Sequence, residues 1–444
     1  MQTARPPVHM DDIPLNRFHI KIAGLTFGAH FTDGYVLGQI GFALLQISPQ
    51  MGLSVFWQGM LGGSALIGLF IGSLFLGKLS DRIGRQKIFS FSFIIIILGT
   101  FFQFFVTTPM ELFLLRVLIG IGLGGDYSVG HALLAEISPR KHRGVLLGSF
   151  SGIWTLGYVS ANFLGHYLTQ ISPDGWRWLL ISASLPATII LLLRIGTPES
   201  PRWLLKNGQK KQAFGMIKKY FGDNVILTGE RLVEKNSHFS DLFRPEYRQR
   251  TAFNSLFFIC LVIPYFAIYT FLPSTIQAMG LSQNLGTDLL LNSILILGSI
   301  IGVILTQLCS RRKFLISSFI FLAGCLSLIC FIPHQYSLTL TILFACFTLI
   351  LSAVSNLVGV FPAESFPTEM RALGIGFATS MSRLGSAIGT GLLPFAVLYL
   401  GIQETMLILV AILVIGAVVS IAWAPETKNI RLANASNVQS VECH

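Results

Sequence analysis

The chain has 444 residues, 52% of them hydrophobic and only 11% Asp, Glu, Lys or Arg, with a mean hydropathy of +0.68. A water-soluble protein of this size is about a quarter charged, so the composition excludes an ordinary globular enzyme and calls for a bilayer as solvent. The formal net charge of +11 sits in short clusters between apolar runs, without interleaved aromatics, which excludes a nucleic-acid surface.

The first 17 residues are polar, contain Pro6, Pro7, Asp11 and Asp12, and lack an A-x-A-type cleavage site. They are expected to form a cytoplasmic tail ahead of a retained first span. Twelve apolar runs follow, with cores at 18–46, 54–77, 88–107, 110–136, 144–169, 176–196, 250–278, 286–309, 314–332, 337–362, 372–400 and 403–424. About 20 apolar residues span a bilayer, and lipid forces such runs to be helical because their backbone groups must pair internally. The fold expected is therefore an all-α integral membrane protein with twelve transmembrane helices. Residues 18–196 and 250–424 form two six-helix bundles, 197–249 a cytoplasmic linker, and 425–444 a cytoplasmic tail. Basic residues crowd 78–87, 140–143, 202–250 and 311–313, whereas 48–52, 107–111 and 280–288 have almost none, Arg177 being the main exception. Basic connections mark the cytoplasmic side, so both termini are expected there.

The two bundles repeat one another. GRQK at 84–87 returns as SRRK at 310–313, Glu136 and Arg143 return as Glu364 and Arg371, and PES at 198–200 returns as PET at 425–427. Three returns at nearly one offset indicate a parallel internal duplication, which puts a site at mid-membrane between the halves.

Together these motifs resemble the major facilitator superfamily, in its broad sugar-porter branch of metabolite–proton symporters. The branch's G-x-L-x-D-R-x-G-R loop is matched by Gly77, Leu79, Asp81, Arg82, Gly84 and Arg85, PESPRWL stands at Pro198–Leu204, and PETK at Pro425–Lys428. GLGGDY, PYFAIYTF and SMSRLG are similar to runs in bacterial metabolite transporters. The resemblance implies alternating access in a bacterial inner membrane, by a functional monomer with no cofactor beyond the proton gradient. Its cytoplasmic gate would comprise Asp81, Arg82, Arg85, Glu136, Arg143, Glu199, Arg202, Glu364 and Arg371. Physically, a carboxylate beside arginines makes charge-assisted bonds that tie helix ends together: Asp81 with Arg82 and Arg85, Glu136 with Arg143, Glu364 with Arg371.

Ionisable groups deep in a bilayer are costly and tend to be functional. Counted at about 1.5 Å per residue, Asp33, Asp126 and Arg383 all fall near mid-membrane. Asp126, and then Asp33, are the expected proton carriers; similar symporters carry acids in such settings. Arg383 is the expected substrate clamp, since guanidinium pairs bidentately with carboxylate or phosphate. The structural alternative is a bridge from either acid to Arg383 or Arg116. Arg116 itself reads as a snorkelling residue near the extracellular end, His131 as structural, and His30 and His166 have no metal-ligand partner at helical spacing. Trp154, Tyr158 and Asn162 share one helix face; with Tyr265 and Tyr269, and with Asn292 and Asn356, they are candidate pocket walls. Gly120, Gly122, Gly124 and Gly125 thin helix four for close contact.

Six cysteines without a CxxC pair give neither a disulfide framework nor a zinc site. With no HExxH, nucleophile elbow or metal-spaced cluster, an enzyme is not expected. The seventh helix reads IPYFAIYTF where hexose porters carry amides, so the expected substrate is a small organic anion, a carboxylate. A proton-coupled sugar transporter and an organic-cation carrier or exporter are the alternatives, with a nontransporting nutrient sensor behind them. The expected partners are that small molecule, protons and membrane lipid.

Overall fold

Caps and breaks written in the sequence set where each helix begins and ends in the computed structural model, which describes residues 8–222, 224–226, 239–278, 285–333, 335–366 and 370–426. In the first half α1 is Arg17–Gln50, α2 Val55–Ile83, α3 Arg85–Phe102, α4 Pro109–Ile137, α5 Arg140–Ile171, α6 Gly175–Ser182 and α7 Ser184–Arg194. The linker holds α8 (Pro201–Lys206) and α9 (Lys210–Phe221). The second half has α10 (Arg248–Thr270), α11 (Leu272–Ala278), α12 (Leu285–Leu308), α13 (Arg311–Phe331), α14 (Ser337–Val354), α15 (Leu357–Ser365), α16 (Arg371–Leu400) and α17 (Ile402–Trp423).

Asn16 opens α1 with a reciprocal cap: its Oδ1 accepts from the N–H of Phe18 and His19, both at 3.0 Å, and His19 Nδ1 accepts from Asn16 N–H at 3.1 Å. Thr108 and Glu111 cap α4 in the same manner. Among the described residues ten segments are long and apolar enough to cross a membrane; α1 and α5, with 34 and 32 residues, complete twelve. Large apolar side chains such as Phe75, Leu193, Phe331 and Leu338 face outward, the surface a lipid-immersed bundle presents.

Three spans that read as continuous are broken. The sixth divides at Ala183 into α6 and α7, the seventh at Phe271 into α10 and α11, and the tenth at Ser355–Asn356 into α14 and α15. Proline follows the first two breaks, at Pro186 and Pro273, and lacks the N–H that continues a helix. At the third, Ser355 Oγ donates to Leu351 O at 2.7 Å and Asn356 Nδ2 to Ala353 O at 3.1 Å, side chains competing for carbonyls the helix would use. The described part of the linker packs on the first bundle. Met216 of α9 packs on Phe18, Ile22, Leu133 and Ile137, and a two-residue parallel pair joins β1 (Val8–His9) to β2 (Val225–Ile226).

The duplication reappears as packing. In the first half α1 lies on α5, α2 on α4, α3 on α4 and α3 on α7; in the second, α10 lies on α16, α12 on α14, α13 on α14 and α13 on α17. The halves meet through two equivalent seams, α2 on α16 and α5 on α12. Close approach is made by glycine. Gly120 and Gly124 of α4 press on the backbone of α2 at Ala65 and Leu69, and Gly122 presses on Ser92 of α3, as expected for α4. At the α2–α16 seam a Cβ on Gly63 would stand 3.0 Å from Ala387 O. Gly41 meets Thr270 O, and Gly62 meets the Phe271 ring. Gly41, Gly62 and Gly63 make their inter-half contacts toward the end opposite the basic connections, so the halves are closed on one another there.

Candidate functional site

His30 and Asp33 stand three residues apart on α1 and so share a face. Against them α4 sets Asp126, held close because Gly130, one turn on, lets α1 approach at Thr26. Asp33 and Asp126 are wholly buried and His30 is 1% exposed. One donor atom from each lies within 4.8 Å of the other two, and His30 Nδ1 is 3.9 Å from Asp126 Oδ2. Neither nitrogen of His30 has a hydrogen-bond partner, and the two carboxyls face one another with no hydrogen-bond partner outside their own pair. Burial of unpartnered polar groups costs on the order of several kcal/mol each, so packing alone does not account for them. Neither carboxylate forms the bridge to Arg383 or Arg116 that a structural role would require. Two facing carboxyls can hold one proton between them, the protonated member donating to the other. Among the described residues this is the one group of His, Cys, Asp or Glu donors spaced to hold a cation.

Arg383 reaches this cluster from α16, in the other half. Its guanidinium carbon is 5.0 Å from the centroid of Tyr127 and 5.5 Å from that of Phe266, a cation over two aromatic faces. The Nε is buried without a hydrogen-bond partner. The site therefore sets a facing pair of acids from one half beside an arginine from the other, with no ion pair between the arginine and either acid. Aromatic rings wall it: Trp154 lies 6.0 Å from both Tyr265 and Phe266, and Tyr265 stacks on Tyr269 at 5.1 Å.

Other expected wall residues turn out to join the halves. Tyr158 Oη donates to Tyr269 O at 2.6 Å, and Tyr269 Oη to Thr348 Oγ1 at 2.6 Å. Asn162 Nδ2 donates to Asn292 Oδ1 at 2.9 Å, while Asn292 Nδ2 donates to Asp288 O at 2.8 Å. One turn beyond, His166 Nδ1 meets Asp288 Oδ2 at 2.8 Å, a partner that helical spacing within α5 could not reveal. Asn356 holds Ser299 O at 3.1 Å and stays within its own half, its Oδ1 buried and unpartnered.

At the basic end each acid of the repeat meets the arginine that opens the third span of its half: Glu136 with Arg85 at 2.7 Å, and Glu364 with Arg311. The sequence pattern paired these acids with Arg143 and Arg371, whose side chains, with that of Asp81, lie outside the described residues. Arg82 is exposed and Arg202 half-buried. Glu199 accepts from the N–H of Gln86 at 3.0 and 3.2 Å, and Ser200 Oγ donates to Glu136 at 2.5 Å. Both arginine–glutamate bonds are internal to one half and intact while the opposite end is closed; they fasten each bundle's corner.

Arg116 corrects another expectation. It does not snorkel: it is 1% exposed, between α2 and α4, with its Nε donating to Ser64 Oγ at 3.2 Å. Close packing at the α2–α4 glycine seam covers it. Sequence reasoning also missed His30, left unassigned, and Tyr127 and Phe266 beside Arg383. His131, read as structural, has its ring 4.7 Å from that of His30. The signal available was Asp126-Tyr127 on α4 lying at the depth of His30 and Asp33 on α1.

The family model described as "Sugar (and other) transporter" matches residues 25–438. The chain is 57% identical over 438 residues to the inner membrane metabolite transport protein YgcS of Escherichia coli, covering 99% of this chain and 98% of that one. It is 35% identical to the putative metabolite transport protein YaaU of the same organism, covering 98% of both. Its fold is similar to that of the E. coli proton:xylose symporter XylE bound to 6-bromo-6-deoxy-D-glucose, with a TM-score of 0.75 at 19% identity over 95% of this chain and 99% of that one. The chain is thus a multi-pass membrane transporter, not an enzyme, and belongs to the sugar (and other) transporter family of the major facilitator superfamily.

Proposed function

We propose that this protein carries a small organic anion, a carboxylate, across the bacterial inner membrane in symport with protons, by alternating access and with both termini in the cytoplasm. One observation carries the reading: Arg383 is buried between the halves with its Nε unpartnered, while the acids nearest it belong to the opposing half. A guanidinium over aromatic faces and without a carboxylate of its own is a receptor for a carboxylate brought by the substrate. The facing pair Asp33 and Asp126 supplies a place for the proton that travels with it. Loading both adds one negative and one positive charge to the seam, so the loaded site crosses no more highly charged than the empty one. The basic connections at 78–87, 140–143 and 311–313 support cytoplasmic placement of that end.

A sugar is the second reading, favoured by the description of the matching family and by the xylose symporter that shares the fold. Against it, the seventh span presents Tyr265, Phe266 and Tyr269 with few amides to bind hydroxyls. Uptake into proteoliposomes under an imposed inward proton gradient separates the readings, with benzoate, lactate, D-xylose, D-glucose and tetraethylammonium as probes. Carboxylate uptake that collapses with the gradient, and is lost in Arg383→Gln, is expected. D-Xylose or D-glucose uptake that survives Arg383→Gln would replace the anion with a sugar.

A further inference from the structure

We propose that His30 and His131 form the route along which protons pass between the Asp33–Asp126 pair and the basic end of the protein. The inference rests on the proton-carrier reading of that pair and adds the path by which the proton leaves. His30 stands between the two stations: its Nδ1 is 3.9 Å from Asp126 Oδ2, and its ring centroid is 4.7 Å from that of His131, the planes inclined at 65°. Both its nitrogens are buried with no hydrogen-bond partner. A histidine kept for structure has its tautomer fixed by a bond to one nitrogen. This one is held by rings alone, stacked on Phe150 at 4.1 Å and tilted against Tyr127 at 4.9 Å, and its ring can turn to either neighbour.

His131 is oriented where His30 is not. Its Nδ1 lies 2.9 Å from Tyr127 O, and a carbonyl only accepts, so Nδ1 carries the hydrogen and Nε2 offers its lone pair. Burial falls along the series: the two acids and His30 are closed off, whereas His131 is half-buried. His131 is also five residues beyond Asp126, about 7 Å along α4, in the direction of Glu136 and the basic corner.

Transfer balances at each step. The carboxyl proton of Asp126 passes to one nitrogen of His30, leaving a carboxylate and an imidazolium. The other nitrogen of His30 then gives its proton to Nε2 of His131, and His30 returns neutral as the opposite tautomer, which a ring turn resets. His131 releases its proton to water at the basic end. The titratable and charged groups facing the two rings are Asp33 on α1, Asp126 and Tyr127 on α4, and Arg383 on α16; α5 contributes apolar Phe150.

The test needs no transported substrate. Purified protein in lipid nanodiscs is given a pH jump, and the carboxyl C=O band that Asp126→Asn removes is followed by time-resolved infrared spectroscopy. His30→Phe keeps the stack on Phe150, and His131→Gln keeps a polar side chain near Tyr127 O; each is expected to slow the band by roughly tenfold or more, as loss of a proton-transfer group does. Free imidazole in the buffer is expected to restore the rate in His131→Gly, which a purely structural role would not allow. A band that Asp126→Asn removes but that keeps its wild-type rate in both histidine variants overturns the relay and leaves the carrier reading standing. A wild-type spectrum with no band sensitive to Asp126→Asn overturns the carrier reading, and the relay with it.

Discussion

The two corners at the basic end occupy equivalent places in the duplicated halves, yet they are closed by different chemistry. In both, an arginine at the start of the third span meets the glutamate at the end of the fourth: Arg85 with Glu136, Arg311 with Glu364. The residue just before the arginine differs. In the first half it is Gly84, at φ +123°, and Glu199 lies against it and accepts the N–H of Gln86 directly. In the second half it is Ser310, at φ −61°, whose hydroxyl accepts from Lys313 N at 3.3 Å and donates to Glu426. A carboxylate caps one helix outright; at the other a hydroxyl caps and the carboxylate holds the hydroxyl. Duplication has kept the ion pair and the acid, while the link between acid and helix has been rebuilt. The ion pair is what the two halves share; the cap is where they are free to differ.

Writing the second corner into the first should cost the most stability. Gly84→Ser forces an L side chain into a backbone region that costs about 1–3 kcal/mol. Its Cβ would also stand 2.6 Å from Glu199 Oε2, so the acid must leave the Gln86 N–H. A loss of roughly 3 kcal/mol is expected by thermal unfolding in detergent, the largest effect at either corner. Wild-type stability in Gly84→Ser would mean that the two corners are interchangeable. Glu136→Gln comes next. It weakens the bonds to Arg85 and Ser200 together, and because Glu136 and Arg85 are partly exposed a loss of about 1–2 kcal/mol is expected. In a double-mutant cycle with Arg85→Gln most of that loss should appear as coupling. Glu364→Gln should show coupling of the same sign with Arg311→Gln; coupling in one half alone would end the claim that the ion pair is the shared element.

These corners also show how much a sequence discloses. GRQK, SRRK, PES and PET were legible as a repeat because short motifs in connections survive duplication, and with them came the twelve spans and two bundles. The partners were harder. The motif pairs Glu136 with Arg143, whose side chain lies outside the described residues; the partner it did not disclose is Arg85, 51 positions away. The same limit hid the acid cluster's third member: counting residues along each span brought Asp33 and Asp126 to one depth, whereas His30 and His131 become neighbours only through the rotation of α1 against α4. Helix breaks at Ala183 and Asn356 interrupt runs whose hydropathy does not change across them. Arg116 was misread because depth along a helix says nothing about whether a neighbouring helix covers it.

Ser310 yields the smallest effects and the finest discrimination. Ser310→Ala removes the cap at α13 and leaves Glu426 without its hydroxyl, for an expected loss of about 1 kcal/mol. Ser310→Gly removes the same bonds, but glycine at an N-cap costs only about a few tenths of a kcal/mol relative to serine. Relieved of the hydroxyl, the Glu426 carboxylate can approach the start of α13 as Glu199 does at α3, where it also meets the positive end of the helix dipole. Ser310→Gly is therefore expected to melt above Ser310→Ala, although it deletes more of the side chain and loosens the backbone. Adding Glu426→Gln should erase that advantage. If Ser310→Gly instead melts below Ser310→Ala and ignores Glu426→Gln, the second corner cannot adopt the first corner's solution. The difference between them would then be fixed by the path of the chain rather than by the choice of one residue.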